Sequence, residues 1–247
     1  MQIYGREESA LKTRIKFQKI GYVRFIGHLD VQRYFQQAFK RADIPVLYSK
    51  GFSPHPLLSF ASPLGIGMTS EGEYADVELD ETQVTSGEKL ENLIDRLNAV
   101  MNEGITVLDW RKLDDTAKNA MSTVAAADYM ISFRPGYYHK EVFLQRCAEF
   151  FRQEEMIVLK KTKRSQKEEN IRPLLLELRP MGESIFIKTV SGSANNLKPE
   201  LVMNAFCDYL GYPYEKIAFM IHRLETYMKV EDDYVSLLYP STEMEAK

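Results

Sequence analysis

His28, Asp30, His55 and Glu71 are residues of this 247-residue chain whose types could ligate a metal ion or pass a proton. His55 stands between two prolines, in Gly51-Phe52-Ser53-Pro54-His55-Pro56. Each proline fixes its own φ and pushes the preceding residue toward extended geometry, so Ser53 and His55 are kept out of helix. Neither proline donates a backbone hydrogen bond, so the segment can border a sheet but cannot be an internal strand. Lys50, Phe52, Ser53 and His55 therefore make a stiff recognition loop at a sheet edge; the plainer alternative is a turn with an exposed histidine. His28-Leu29-Asp30 opens a helix, and reads as a capping turn with a favourable carboxylate in its first turn. That reading outweighs a metal centre. His28, Asp30 and Glu71 remain a candidate pocket, with no metal and no cofactor expected.

A second kind of chemistry, phosphate binding, is written in Lys160-Lys161-Thr162-Lys163-Arg164-Ser165-Gln166-Lys167, where five of eight residues are basic. Lys160, Lys161, Lys163, Arg164 and Lys167 on one flexible loop could grip phosphates without regard to sequence. The Glu168-Glu169 that follows fits a solvated hairpin tip equally well. A third cluster, Asp76, Glu78 and Asp80, alternates along one strand and invites a test as a catalytic carboxylate pair. Arg14 and Lys16 point outward from the strand expected beside it, so cross-strand ion pairs account for the acids. Tyr74 is the one aromatic of that strand, too few for a base-stacking sheet.

The elements that must position these residues follow from periodicity. Thr13, Ile15 and Phe17 alternate with Arg14, Lys16 and Gln18 as a half-buried strand. Val31, Phe35, Ala38, Phe39 and Ala42 recur at helical spacing, and that helix stops before Pro45. Val46–Ser49 and Leu57–Phe60 give a broken edge strand, and Glu73–Asp80 alternates again. Ser86 is the expected N-cap of a helix carrying Leu90, Leu93, Ile94, Leu97 and Val100. Ile105–Trp110 closes a β-α-β-β-α-β unit.

The same order returns in Tyr129–Phe133, a helix with Val142, Phe143, Cys147, Phe150 and Phe151, and the pair Met156–Leu159 and Pro173–Leu178. Ser184–Val190, a helix with Leu201, Val202, Ala205, Phe206 and Leu210, and Ile217–Ile221 complete it. Pro56-Leu57-Leu58 answers Pro173-Leu174-Leu175 at an offset of 117 residues. The expectation is an α+β protein of two tandem ferredoxin-like domains with antiparallel sheets. The first spans residues 1–114, a small and polar linker 115–127, the second 128–230, and a loosely held acidic tail 231–247.

Composition bounds the function. A net charge of −3 excludes a globally basic nucleic-acid binder, so any such binding must be local. Cys147 and Cys207 offer no disulfide framework and no zinc or iron–sulfur spacing; buried, unpaired thiols in a reducing compartment are expected. No apolar run approaches membrane-spanning length and no leader is evident, so a cytoplasmic protein is expected, with no membrane partner.

The chain resembles a bacterial family of radical-SAM-linked proteins, a domain of unknown function. The resemblance rests on Arg24-Phe25-Ile26-Gly27-His28-Leu29-Asp30, Arg41-Ala42-Asp43-Ile44-Pro45-Val46 and Gly51-Phe52-Ser53-Pro54-His55-Pro56. It continues in Gly72-Glu73-Tyr74-Ala75-Asp76-Val77-Glu78-Leu79 and Asn170-Ile171-Arg172-Pro173. It implies partnership with a separately encoded radical SAM protein. The cluster-binding CxxxCxxC of such enzymes is missing from this sequence. The leading expectation is a non-catalytic accessory protein that holds substrate, plausibly structured RNA, for that enzyme. Two alternatives stay open: an RNA-processing or metal-dependent enzyme using His28 and His55, and a protein-interaction scaffold without nucleic acid.

Overall fold

The alternation of Thr13, Ile15 and Phe17 decides the first unit, because it gives one strand an apolar face for two helices to cover. In the computed structural model, which describes residues 9–84, 90–161 and 166–238, the chain is mixed α+β, with five helices and mostly antiparallel strands. It divides into two units. One takes the chain as far as Ile66, then Glu71–Thr123, and the segment from Ser236 onward; the other takes Gly67–Ser70 and Val124–Val235.

The first unit runs β1 (Ala10–Lys19), α1 (His28–Arg41), β2 (Leu58–Phe60), β3 (Thr69–Asp80, all but its first two residues), α2 (Leu90–Val100), β4 (Ile105–Lys112) and α3 (Ala120–Thr123). Its strands lie in the order β4-β1-β3, with β2 antiparallel on β3. The core joins Ile15 and Phe17 of β1 to Val31, Phe35 and Phe39 of α1 and Leu93 and Leu97 of α2. Phe17, Phe35 and Phe60 meet edge to face at 4.9, 5.8 and 5.7 Å. Such pairs add about 0.5–1.5 kcal/mol each beyond the area they bury. Thr13 serves this face too: its hydroxyl donates to the Val77 carbonyl and accepts from the Trp110 indole. The Ser86 cap lies outside the described residues.

The opposite face of β1 departs from expectation. Arg14 is not an outward, solvated residue but is 3 % exposed. Its Nε sits 2.6 Å from Asp76 Oδ1, its Nη1 donates to the Leu237 carbonyl and its Nη2 to the Lys118 carbonyl. Asp76 Oδ2 in turn accepts the Ala120 N–H at 2.7 Å. The expected cross-strand pair is present, but the stretch read as a linker and the stretch read as a loose tail are folded over it. Ala120 is fully buried and Leu237 is 1 % exposed. Asp80 accepts from the hydroxyl of Thr82 and the amide of Gln83, which hold its carboxyl below the ordinary range.

The second unit runs β5 (Val124–Phe133), α4 (Lys140–Phe151), β6 (Ile157–Lys161), β7 (Gln166–Asn170), β8 (Leu175–Met181), β9 (Ser184–Val190), α5 (Pro199–Leu210), β10 (Phe219–Val230) and most of β11 (Asp233–Ser236). Four strands lie antiparallel in the order β10-β5-β9-β8, and β11 pairs with β10. Thr69 and Ser70, the start of β3, run parallel to His222 and Arg223. β5 begins at Val124, inside the expected linker, and β10 extends nine residues past Ile221, so neither strand matches its alternating stretch. Phe143 is the hub of the core, 5.2 Å from Phe133 and 5.1 Å from Phe206, while Phe150 stacks on Phe206 at 4.3 Å. Cys147 and Cys207 are buried and unpaired, and burial pushes their thiols up to about 12 and about 11.

Removing one partner of a buried ion pair strands the other, at about 3–5 kcal/mol. Arg14→Met and Asp76→Asn should each lower stability by that order in urea unfolding. Because the pair also satisfies three backbone groups, the double variant Arg14→Met/Asp76→Leu should not recover. A double variant as stable as wild type would show that the network contributes nothing beyond the pair.

Candidate recognition loops

Between α1 and β2 the chain touches the sheet edge, leaves it and returns. Val46 bridges Leu79, and Leu47 N–H donates to the Glu78 carbonyl. Ten residues on, Leu57 N–H donates to Leu47 and its carbonyl accepts from Glu78 N–H. The intervening residues form a closed loop: Tyr48 bridges Pro56, and Ser49 N–H donates to the His55 carbonyl at 2.9 Å. A positive φ at Gly51 (118°), a conformation that side chains disfavour, turns the tip.

The Ser49 hydroxyl clasps this loop. It accepts the His55 backbone N–H at 3.1 Å and lies 2.8 Å from His55 Nδ1, which is also 3.3 Å from the Ser53 carbonyl. Lys50, Phe52, Ser53 and His55 are all exposed, Phe52 completely so. The prolines bound the loop as their chemistry requires, with Pro56 buried at the edge and Pro54 exposed.

His28, Asp30 and Glu71 go elsewhere. His28, at the first turn of α1, is half-buried and packs edge-on against Phe60 at 5.2 Å, while Asp30, exposed, faces the exposed Arg33 of the next turn at 3.6 Å. Glu71 is exposed on β3. Among the described residues no three His, Cys, Asp or Glu side chains stand together so as to hold a metal ion. Tyr74 is buried, with its hydroxyl 2.9 Å from Ser236 Oγ, and offers no stacking face.

The second unit carries its own excursion at the same place in its element order, between α4 and β8. It is the two-stranded hairpin of β6 and β7, with Lys160 opposite Lys167 and Lys161 opposite Gln166. Lys163 and Arg164 lie outside the described residues. Glu168 and Glu169 fall opposite Leu159 and Val158.

Two features escaped the sequence reading. One is a set of exposed apolar side chains, Tyr22, Phe25 and Leu29 around the start of α1 and Ile66 further along the chain. The other lies on the second unit's sheet. Asp128 of β5 is 5 % exposed; its Oδ2 accepts the Tyr227 hydroxyl at 2.7 Å, and its Oδ1 has no partner among the described residues. Burial raises the Asp128 carboxyl pKa, against the opposing pull of Tyr227 and Lys188. The Lys188 ammonium sits 3.9 Å over the Tyr227 ring and 5.1 Å over that of Tyr234. Asp128 faces Lys188 across β9 and Glu225 across β10. Strand register alone brings these together, and only a known sheet order would have revealed them.

A family model described as an uncharacterized protein conserved in bacteria (DUF2344) matches residues 12–199. No curated protein matches the chain.

The raised pKa of Asp128 gives a pH signature. The folded state keeps this proton to higher pH than the unfolded chain does, so stability falls as pH rises from the ordinary carboxylate value of about 3.9 through the folded value. Asp128→Asn removes that loss while keeping an acceptor for Tyr227. Its thermal midpoint should exceed that of wild type at pH 7, and the difference should shrink toward pH 4. A difference independent of pH would contradict this.

Proposed function

The chain belongs to this uncharacterized family of bacterial proteins (DUF2344), and we propose that it is a non-catalytic binding protein for structured RNA. We read each unit as a ferredoxin-like domain, from the order of its four main strands and its two covering helices. The observation that carries the RNA reading is Phe52, an aromatic ring held fully in water on a loop clasped from within by Ser49. Burying such a side chain is worth about 1.5–3 kcal/mol, so its projection leaves that energy for a ligand. Unpaired RNA bases stack on such rings, and Lys50, two positions away, suits the phosphate that accompanies a base. The basic hairpin of the second unit adds sequence-independent grip through Lys160, Lys161, Lys163, Arg164 and Lys167.

A second surface supports the partnership that the sequence resemblance implies. Tyr22, Phe25 and Leu29, around the start of α1, and Ile66 each leave an apolar side chain exposed. We assign these side chains to the separately encoded radical SAM protein, for which this chain would hold substrate.

The test is RNA affinity over a salt series. Each phosphate contact contributes about 0.7–0.9 to the slope of log affinity against log salt. Replacing Lys160, Lys161, Lys163 and Arg164 with alanine should flatten that slope and weaken all RNAs alike. Phe52→Ala should weaken binding by about 1–3 kcal/mol per lost stack without altering the slope. Absence of salt-dependent RNA binding by the wild type would end the RNA reading. RNA cleavage abolished by His55→Ala would replace it with the enzymatic one.

A further inference from the structure

We propose that Ser49 and Ser53 fix the tautomer of His55 so that its Nε2 accepts the 2′-hydroxyl of a ribonucleotide, making the loop selective for RNA over DNA. The inference rests on the RNA-binding reading and adds to it the group that is recognised.

His55 Nδ1 lies between two oxygens, Ser49 Oγ at 2.8 Å and the Ser53 carbonyl at 3.3 Å. A carbonyl oxygen can only accept. A bare Nδ1 would aim its lone pair at that oxygen, whereas Nδ1–H is attracted to both. Ser49 Oγ accepts the His55 backbone N–H at 3.1 Å on one lone pair, and its second lone pair is there to accept Nδ1–H. The neutral ring therefore carries its hydrogen on Nδ1 and its lone pair on Nε2. The neighbours that set a tautomer also fix the orientation of the ring. Nε2 belongs to an exposed side chain, so its lone pair is open to a ligand.

An acceptor selects ligands that donate. The 2′-hydroxyl is a donor that every ribonucleotide has and every deoxyribonucleotide lacks, and it is how a protein tells RNA from DNA at a given site. The same short loop offers Phe52 to the face of the base and Lys50 to the phosphate. Three groups on one clasped turn thus match the three parts of one ribonucleotide. Ser49 is a positioning residue here, acting through His55.

The experiment compares one loop-forming sequence made as RNA, as 2′-O-methyl RNA and as DNA. The methyl group removes the donor while keeping the ribose. Wild type should favour RNA over the other two by about tenfold, the effect of one well-made hydrogen bond. His55→Ala should lose that preference by weakening RNA alone, and Ser49→Ala should reduce it. Phe52→Ala should weaken all three oligonucleotides together. Separately, nitrogen-15 spectra of histidine-labelled protein report the tautomer without any ligand. His55, assigned by the signal missing in His55→Ala, should show hydrogen on Nδ1 in wild type and a shift toward Nε2 in Ser49→Ala. Equal affinity for RNA and 2′-O-methyl RNA, with Phe52→Ala still weakening both, would overturn the proposal and leave RNA binding intact. An Nε2–H tautomer in wild type would overturn it as well, and no binding of any oligonucleotide would end both readings.

Discussion

A buried guanidinium and a carboxylate, Arg14 and Asp76, set the terms for the first unit. Moving two charges out of water costs several kcal/mol per ion, and mutual attraction offsets this only where the remaining hydrogen-bond sites are also filled. Here the backbone fills them: Lys118 and Leu237 supply carbonyls and Ala120 an N–H. The consequence reaches beyond the pair. Residues that follow β4 must cross the sheet face to deliver Lys118 and Ala120, and residues that follow β10 must arrive to deliver Leu237. A charge pair in the middle of β1 and β3 thereby dictates the path of two distant stretches of chain. Lys12 extends the arrangement by donating to the Asp115 carbonyl at 2.8 Å.

The Pro-His-Pro loop depends on the opposite condition, an edge with nothing required of it. β2 is only three residues long and pairs on one side with β3. Prolines 54 and 56 cannot donate to another strand, so the loop stands clear of the sheet without inviting a further strand to add there. Leu47 and Leu57 hold the neck and the Ser49 hydroxyl holds the interior.

Much of this was legible in the sequence, for reasons that particular residues make plain. Ile15, Phe17, Phe35, Phe39, Leu93 and Leu97 announce their elements because burial against a single partner layer leaves a clean period. The Pro-His-Pro run announces an edge because proline chemistry is local. Alternation puts Arg14 on the correct face but not in its true environment: it tells which way a side chain points, never what lies over it. Val124–Ala127 reads as linker because its residues are small. Ala126 and Ala127 are fully buried, and their small size suits a strand covered on both faces. The clasp on His55 was hidden because it depends on the positive φ of Gly51 bringing residues six apart into hydrogen-bond reach. Asp128, Lys188 and Tyr227 come from three strands, and nothing short of the strand order unites them.

The seating of Leu237 against Arg14 also has a meaning in time. The two residues are separated by 223 positions, and synthesis at about 5–20 residues per second puts roughly 10 to 45 seconds between them. Through that interval a nascent chain can assemble β1, α1, β3 and α2, yet its buried guanidinium lacks one acceptor. The amino-terminal unit is thus finished last, by residues that leave the ribosome after the whole carboxy-terminal unit. A chain that breaks off before β11 carries an unfinished charge under its surface, the kind of defect that quality-control proteases find by local opening.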